Sequence, residues 1–201
     1  MAIEIPTLDE LTFEERRHTY RLNGIEIPSV TTLMKPLSAE VYGDVDPDVL
    51  DKAARRGTAV HNATENYAKF GIMDIEPDYE PYLMAFVKWW KRNNPVLLGS
   101  ECRVYHKQLG YAGTSDLLCL IGDRVVLVDY KTSYQVNSML CAVQLEGYDR
   151  AWESHGVKID ERKILHLKRD GNGDEIDFPR SMKCWKVLNA LLTVRNYVNS
   201  F

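Results

Sequence analysis

The sequence predicts an α/β fold in which a mixed β-sheet is flanked by helices, with a small β-hairpin segment ahead of it. Three observations carry this. Stretches with apolar residues at helical spacing, about 47–70 and 76–93, precede any long strand. Three runs rich in aliphatic and β-branched residues follow one another: "LLGSECRVYHKQ", "YAGTSDLLCLI" and "RVVLVDYK". A helical stretch at about 137–155 then separates them from two more strands, and this alternation of helices and strands reads as one α/β domain with a mixed sheet.

The elements follow in order. "HTYRLNGIEIPSV" (18–30) reads as a hairpin, with Asn23-Gly24 as a type I′ turn signal between alternating apolar residues. Ser29 is placed to cap a short helix that Pro36 limits, and 37–48 reads as a loop or hinge. Asp46 is an N-cap with Pro47 in the first turn, and Gly71 is a stop. Leu83, Phe86, Val87 and Trp90 form one stripe, so Trp89-Trp90 is read as core. Gly122-Asp123 turns the second long strand into the third. "KIDERKILHLKRD", Gly171-Asn172-Gly173 and "DEIDFP" make the last hairpin, and a helix at about 181–199 ends the pattern. The expected organisation is a hairpin and hinge segment at 1–45 and a core at 46–201, forming a single domain.

The chain has 201 residues, 45% hydrophobic and 27% charged, which suits a soluble protein with one sizeable core. Its net charge of -4 argues against a basic protein that coats nucleic acid. It leaves room for an enzyme with a local basic track and acidic metal ligands. Cys102, Cys119, Cys141 and Cys184 are widely spaced and form no CxxC pair, so reduced thiols in a cytoplasmic protein are expected. Met1 to Asp9 lacks the pattern of a signal peptide, and no apolar run approaches the ~20 residues of a membrane span.

The stretch "VVLVDYKTS" ends a core strand in charge. Asp129 and Lys131 alternate with Tyr130 and so share a face. A buried charge needs a partner or an ion. One reading is an Asp–Lys ion pair. The neighbouring strand points further, because Asp116 in "GTSDLL" meets Asp129 near one end of the sheet through the tight hairpin. Two crowded carboxylates favour a divalent cation, and an amine beside them suits phosphoryl chemistry.

Together, "GTSD…VDYKTS" resembles the nuclease superfamily named for its Pro-Asp…Asp/Glu-x-Lys motif, without the proline. "RGTAVHNATE" and "QLEGY" resemble the upstream and downstream helix motifs of its RecB-like branch, found in stand-alone phage recombination exonucleases. His61 and Glu65 share one helical face, as do Gln144 and Tyr148. The resemblance implies a restriction-endonuclease-like core at 46–201 and a metal-dependent deoxyribonuclease. It implies His61, Asp116, Asp129 and the Tyr130 carbonyl as ligands of Mg²⁺ or Mn²⁺, with Glu101 a further candidate. Lys131 positions or deprotonates water, and Glu65, Gln144 and Tyr148 support the site. Arg55, Arg56, Thr132 and Ser133 are candidates for contacts to DNA. His18, His106, His155 and His166 are read as surface or structural. The cysteine spacing does not match the iron–sulfur cluster of some relatives, so none is expected. The implied setting is recombination or replication of a phage or mobile element, in the host cytoplasm. The implied partners are DNA, a single-strand annealing protein and further copies of the chain, with no membrane. A structure-specific endonuclease, a non-catalytic DNA-binding protein of the same fold and a different hydrolase stay open as alternatives.

Overall fold

The computed structural model describes residues 5–201, so the first four residues of the expected 1–45 segment lie outside it. Strands β1 (Leu11–Glu14), β2 (Thr19–Leu22) and β3 (Ile25–Ile27) form an antiparallel sheet in that order. Asn23 and Gly24 both have positive φ, 50° and 81°, as a type I′ turn requires. β1 extends the expected hairpin. It is four residues long with a single buried side chain, Leu11, and so leaves little periodic signal. Leu11 and Tyr20 pack on Tyr105 and Ala112, and the Tyr20 hydroxyl meets Thr114 Oγ1 at 2.7 Å, which docks the small sheet on the large one.

Ser29 caps helix α1 (Val30–Leu33) by accepting from the Thr32 amide. The expected loop at 37–48 begins instead as helix α2 (Lys35–Tyr42). Pro36 sits in its first turn, where the missing N–H has no helical partner to lose, so it opens a helix rather than closing one. Helix α3 (Pro47–Phe70) starts where Asp46 accepts from the Asp48 amide and stops at Gly71, in left-handed backbone at φ 70°. Helix α4 (Glu80–Asn93) follows.

The main sheet holds β4 (Val96–Tyr105), β5 (Ala112–Ile121), β6 (Arg124–Lys131), β7 (Glu161–Leu167) and β8 (Gly173–Asp177) in chain order. Only β6 and β7 run parallel among these pairs, because helix α5 (Ser138–Ser154) crosses between them. Helices α3 and α4 cover one face, where Val60, Leu83, Phe86 and Trp89 meet Leu117, Val126, Val128 and Tyr130. α5 and helix α6 (Met182–Val198) cover the other with α1, where Leu145, Trp152 and Leu188 meet Leu118, Leu127 and Ile164.

The alternation of faces slips at one level of the sheet. In β5, Leu118 packs on the α5 face, and Ser115 meets Trp152 Nε1 at 3.2 Å on that same face. Residues three apart cannot share a face in a regular strand. β4 slips beside it, since a Cβ on Gly99 would lie 2.2 Å from the Cys102 sulfur. Between the pairs Ser100–Leu117 and Cys102–Ser115 stand Glu101 and Asp116, and Glu101 has φ 51°. The paired slip turns both carboxylates toward α3. β6 keeps its alternation, so Asp129 and Lys131 face α5.

Candidate active site

Helix α3 presents His61 to the slipped level of the sheet. Its Nδ1 lies 3.5 Å from Asp116 Oδ1 and 3.6 Å from Glu101 Oε1. One donor atom from each of the three residues falls within 4.8 Å of the others. A non-glycine residue in left-handed backbone costs on the order of 1–3 kcal/mol, and such strain collects at functional sites. At Glu101 it aims the carboxylate at the imidazole.

The electrostatics favour a cation. Burial pushes the Asp116 carboxyl well up, and the charges of Asp129 and Glu101 push it further, with His61 opposing. Burial alone would lower the His61 imidazole, but Asp116, Glu101 and Asp129 outweigh it and lift it to about 9. A divalent ion among these groups would neutralise the crowded acids. Two carboxylates with one imidazole form a donor set that such ions accept. The residues therefore fit a metal.

The second half of the site lies on the α5 side. Lys131 Nζ donates to Gln144 Oε1 at 2.9 Å and ion-pairs with Asp129 Oδ2 at 2.6 Å. The Gln144 amide donates to Asp129 Oδ1 at 3.0 Å and to the Tyr148 hydroxyl at 3.1 Å. Both ends of the carboxamide are thus engaged, which fixes its orientation. Burial acts to lower the Lys131 pKa, but Asp129 and further negative neighbours reverse this and raise it, so the amine is an ammonium donor here. The two halves join at Tyr130, whose amide donates to Asp116 Oδ2 at 2.7 Å. The Tyr130 ring is buried and meets His61 edge-on at 5.6 Å between centroids.

Other candidates are arranged as follows. Glu65 ion-pairs with Lys69 and is not one of the three clustered donors. Arg55 is exposed and pairs with Asp51 at 2.7 Å. Arg56 Nε donates to Thr132 Oγ1 at 3.3 Å and its guanidinium lies over the Tyr82 ring, tying α3 to the end of β6. Ser133 donates to the Gln135 carbonyl. The four cysteines are free thiols on four different elements.

Two further residues stand near the site: His166, read from sequence as surface or structural, and Gly113, which has no role assigned from sequence. His166, on β7 beside Lys131, holds the Ser133 carbonyl through Nε2 at 2.7 Å. Nothing near it in sequence signals that contact. Gly113 lies under Tyr148, where a Cβ would come within 2.4 Å of the ring. A glycine inside a strand pattern does signal such an approach.

No family model and no curated protein sequence matches the chain. Structural neighbours do exist. One is an alkaline exonuclease (LHK-Exo) from Laribacter hongkongensis, at 12% identity and TM-score 0.44, covering 72% of this chain and 89% of that one. The same exonuclease in complex with dAMP aligns at 13% identity and TM-score 0.43, covering 71% and 87%. A protein designated SSO0001 aligns at 13% identity and TM-score 0.46, covering 84% and 75%. These are likenesses of fold, and the chemistry of this chain is argued from its own side chains.

Proposed function

We propose that this chain is a divalent-metal-dependent nuclease that hydrolyses phosphodiester bonds in DNA, working as an exonuclease from strand ends. One observation carries the reading. A His61–Glu101–Asp116 cluster fitted to a cation and an ammonium clamped by Gln144 stand on either side of the Tyr130–Asp116 hydrogen bond.

In this reading His61, Glu101 and Asp116 would hold the ion, with Asp129 and the Tyr130 carbonyl as further ligands. When bound, Mg²⁺ or Mn²⁺ supplies Lewis acidity toward a phosphoryl oxygen and toward water. An imidazole among the donors favours manganese over magnesium. Lys131 carries its proton toward the attacking water or the phosphate oxygen on which charge grows. Gln144 holds both Lys131 and Asp129 in place, and the Tyr148 hydroxyl accepts a further hydrogen bond from its amide. Arg55, Arg56, Thr132 and Ser133 mark where the phosphate backbone approaches. The motif resemblance supports a role in phage or mobile-element recombination, with a single-strand annealing protein or further copies of the chain as partners.

The test is digestion of end-labelled linear and covalently closed circular DNA with Mg²⁺, Mn²⁺ or EDTA. Release of nucleotides from linear DNA alone, abolished by EDTA, is expected. Cutting of the circle would make the enzyme an endonuclease, and no cutting of any DNA with either metal would end the nuclease reading.

A further inference from the structure

A cavity of about 250 Å³ opens beside Lys131 and Gln144 on the α5 side of the site. Ser38 and Tyr42 of α2 stand across it from Leu140 and Cys141 of α5. The N-terminal segment thereby forms one wall of the cavity beside the candidate active site.

The lining has a distinct chemistry. Its polar groups are hydroxyls and amides, its floor is apolar, and Lys131 is its only charged residue. None of the lining residues is a carboxylate, although the acids of the metal cluster lie close by. The surface around it carries exposed apolar side chains. Tyr134, next in chain to the lining residue Ser133, is 94% exposed, and Met139, between the lining residues Asn137 and Leu140, is 51% exposed. Tyr42 in the wall is 37% exposed.

Size narrows the occupant. The volume is below the roughly 300–1,000 Å³ of pockets that enclose a drug-sized ligand, so it has room for a single base and not for a base pair. An intact duplex hides its base faces and presents phosphates, so it would leave the apolar floor and the tyrosines unused. Aromatic side chains along a strand path stack on unpaired bases whatever their identity.

We infer that this cavity receives the base of one unpaired nucleotide beside the phosphate to be cut, so that the substrate is a single strand or an already melted end. The inference rests on the nuclease reading for its place in a reaction, but the binding it describes is measured separately. The base lies against Leu140 and Cys141, Tyr42 stacks on it, and its phosphate points to Lys131.

The experiment is fluorescence anisotropy in calcium buffer with a short labelled single-stranded oligodeoxynucleotide and the blunt duplex of the same sequence. It uses the wild-type chain, Ser38→Trp, which fills the cavity, and Tyr42→Ala, which trims its wall. Circular dichroism checks folding, and Tyr42→Ala keeps the test valid if Ser38→Trp does not fold. Tighter binding of the single strand is expected, weakened about tenfold by Tyr42→Ala and further by Ser38→Trp. Equal affinity for both DNAs, or folded variants that bind the single strand as wild type does, would overturn the inference. Digestion with Mn²⁺ is run in parallel. Cleavage without single-strand preference refutes the cavity assignment alone, whereas preference without cleavage on any DNA refutes the nuclease reading alone.

Discussion

The main-chain amide of Tyr130 donates a 2.7 Å hydrogen bond to Oδ2 of Asp116, just beyond Leu117 and Val128, the last paired residues of the two strands. A side chain here takes over from the main-chain ladder. Through Asp116 the bond joins the cation-fitted cluster to the strand that carries the clamped ammonium.

Two substitutions at Asp116 separate charge from hydrogen bonding. Asp116→Asn retains an oxygen for the Tyr130 amide but loses the charge, so stability holds while Mn²⁺ affinity by calorimetry and cleavage both collapse. Asp116→Ala also orphans the amide and costs a further 1–3 kcal/mol or so in urea unfolding. Equal stability of the two variants would show that the bond contributes nothing.

Lys131→Ala is expected to lower the cleavage rate on the order of a hundredfold or more, as loss of a group that stabilises transition-state charge does. Metal binding at His61, Glu101 and Asp116 should persist, since Lys131 is not among those donors. Single-turnover cleavage together with Mn²⁺ calorimetry checks both halves. Undiminished cleavage would remove Lys131 from the chemistry.

Glu101→Gly tests whether backbone strain is tied to function. Glycine accepts φ 51° without a Cβ penalty, so the variant should be as stable as wild type or up to about 1 kcal/mol more stable. Its Mn²⁺ affinity should fall. A clear loss of stability in denaturant unfolding would mean that the left-handed backbone at Glu101 is not strained.

Far from the cation cluster, buried Arg162 donates to Glu146 Oε2 at 2.6 Å and lies 3.2 Å from Asp149. Removing it in Arg162→Met takes away the buried cation of this network and leaves Glu146 to Arg150 and Asp149 to Arg180, which should cost about 1–3 kcal/mol. Burial tends to raise the Glu146 pKa, but the hydrogen bonds from Arg162 and the Ser181 amide outweigh it and hold it below the usual 4.5. Its stabilisation is therefore present above that pH and is lost as pH falls through the lowered folded value. Thermal unfolding across acid pH should show a loss that is shallower in Glu146→Gln.

Much of this architecture is legible in the sequence. Asn23-Gly24, Asp46, Gly71 and Gly122-Asp123 each act through short-range backbone chemistry, and each stands where the sequence places it. α2 is not legible in the sequence because Pro36 serves equally well as the stop of one helix or the first turn of the next, and packing of the segment decides which. His166 gave no signal, since its partner Ser133 is distant in sequence and adjacent only once β7 lies parallel to β6.

By itself the sequence determined the α/β order and picked out most of the side chains that meet at the candidate site, because both follow from local periodicity and residue type. Which acids stand together was a tertiary decision. Simple alternation would send Glu101 to the same face as Gly99 and Asp116 to the same face as Leu118. The paired slip of β4 and β5 turns both toward His61 and leaves Asp129 with Lys131 and Gln144. Such a slip is invisible along a single strand, because the backbone cost at Glu101 is sustained only by the neighbouring strand and the helices packed on either face.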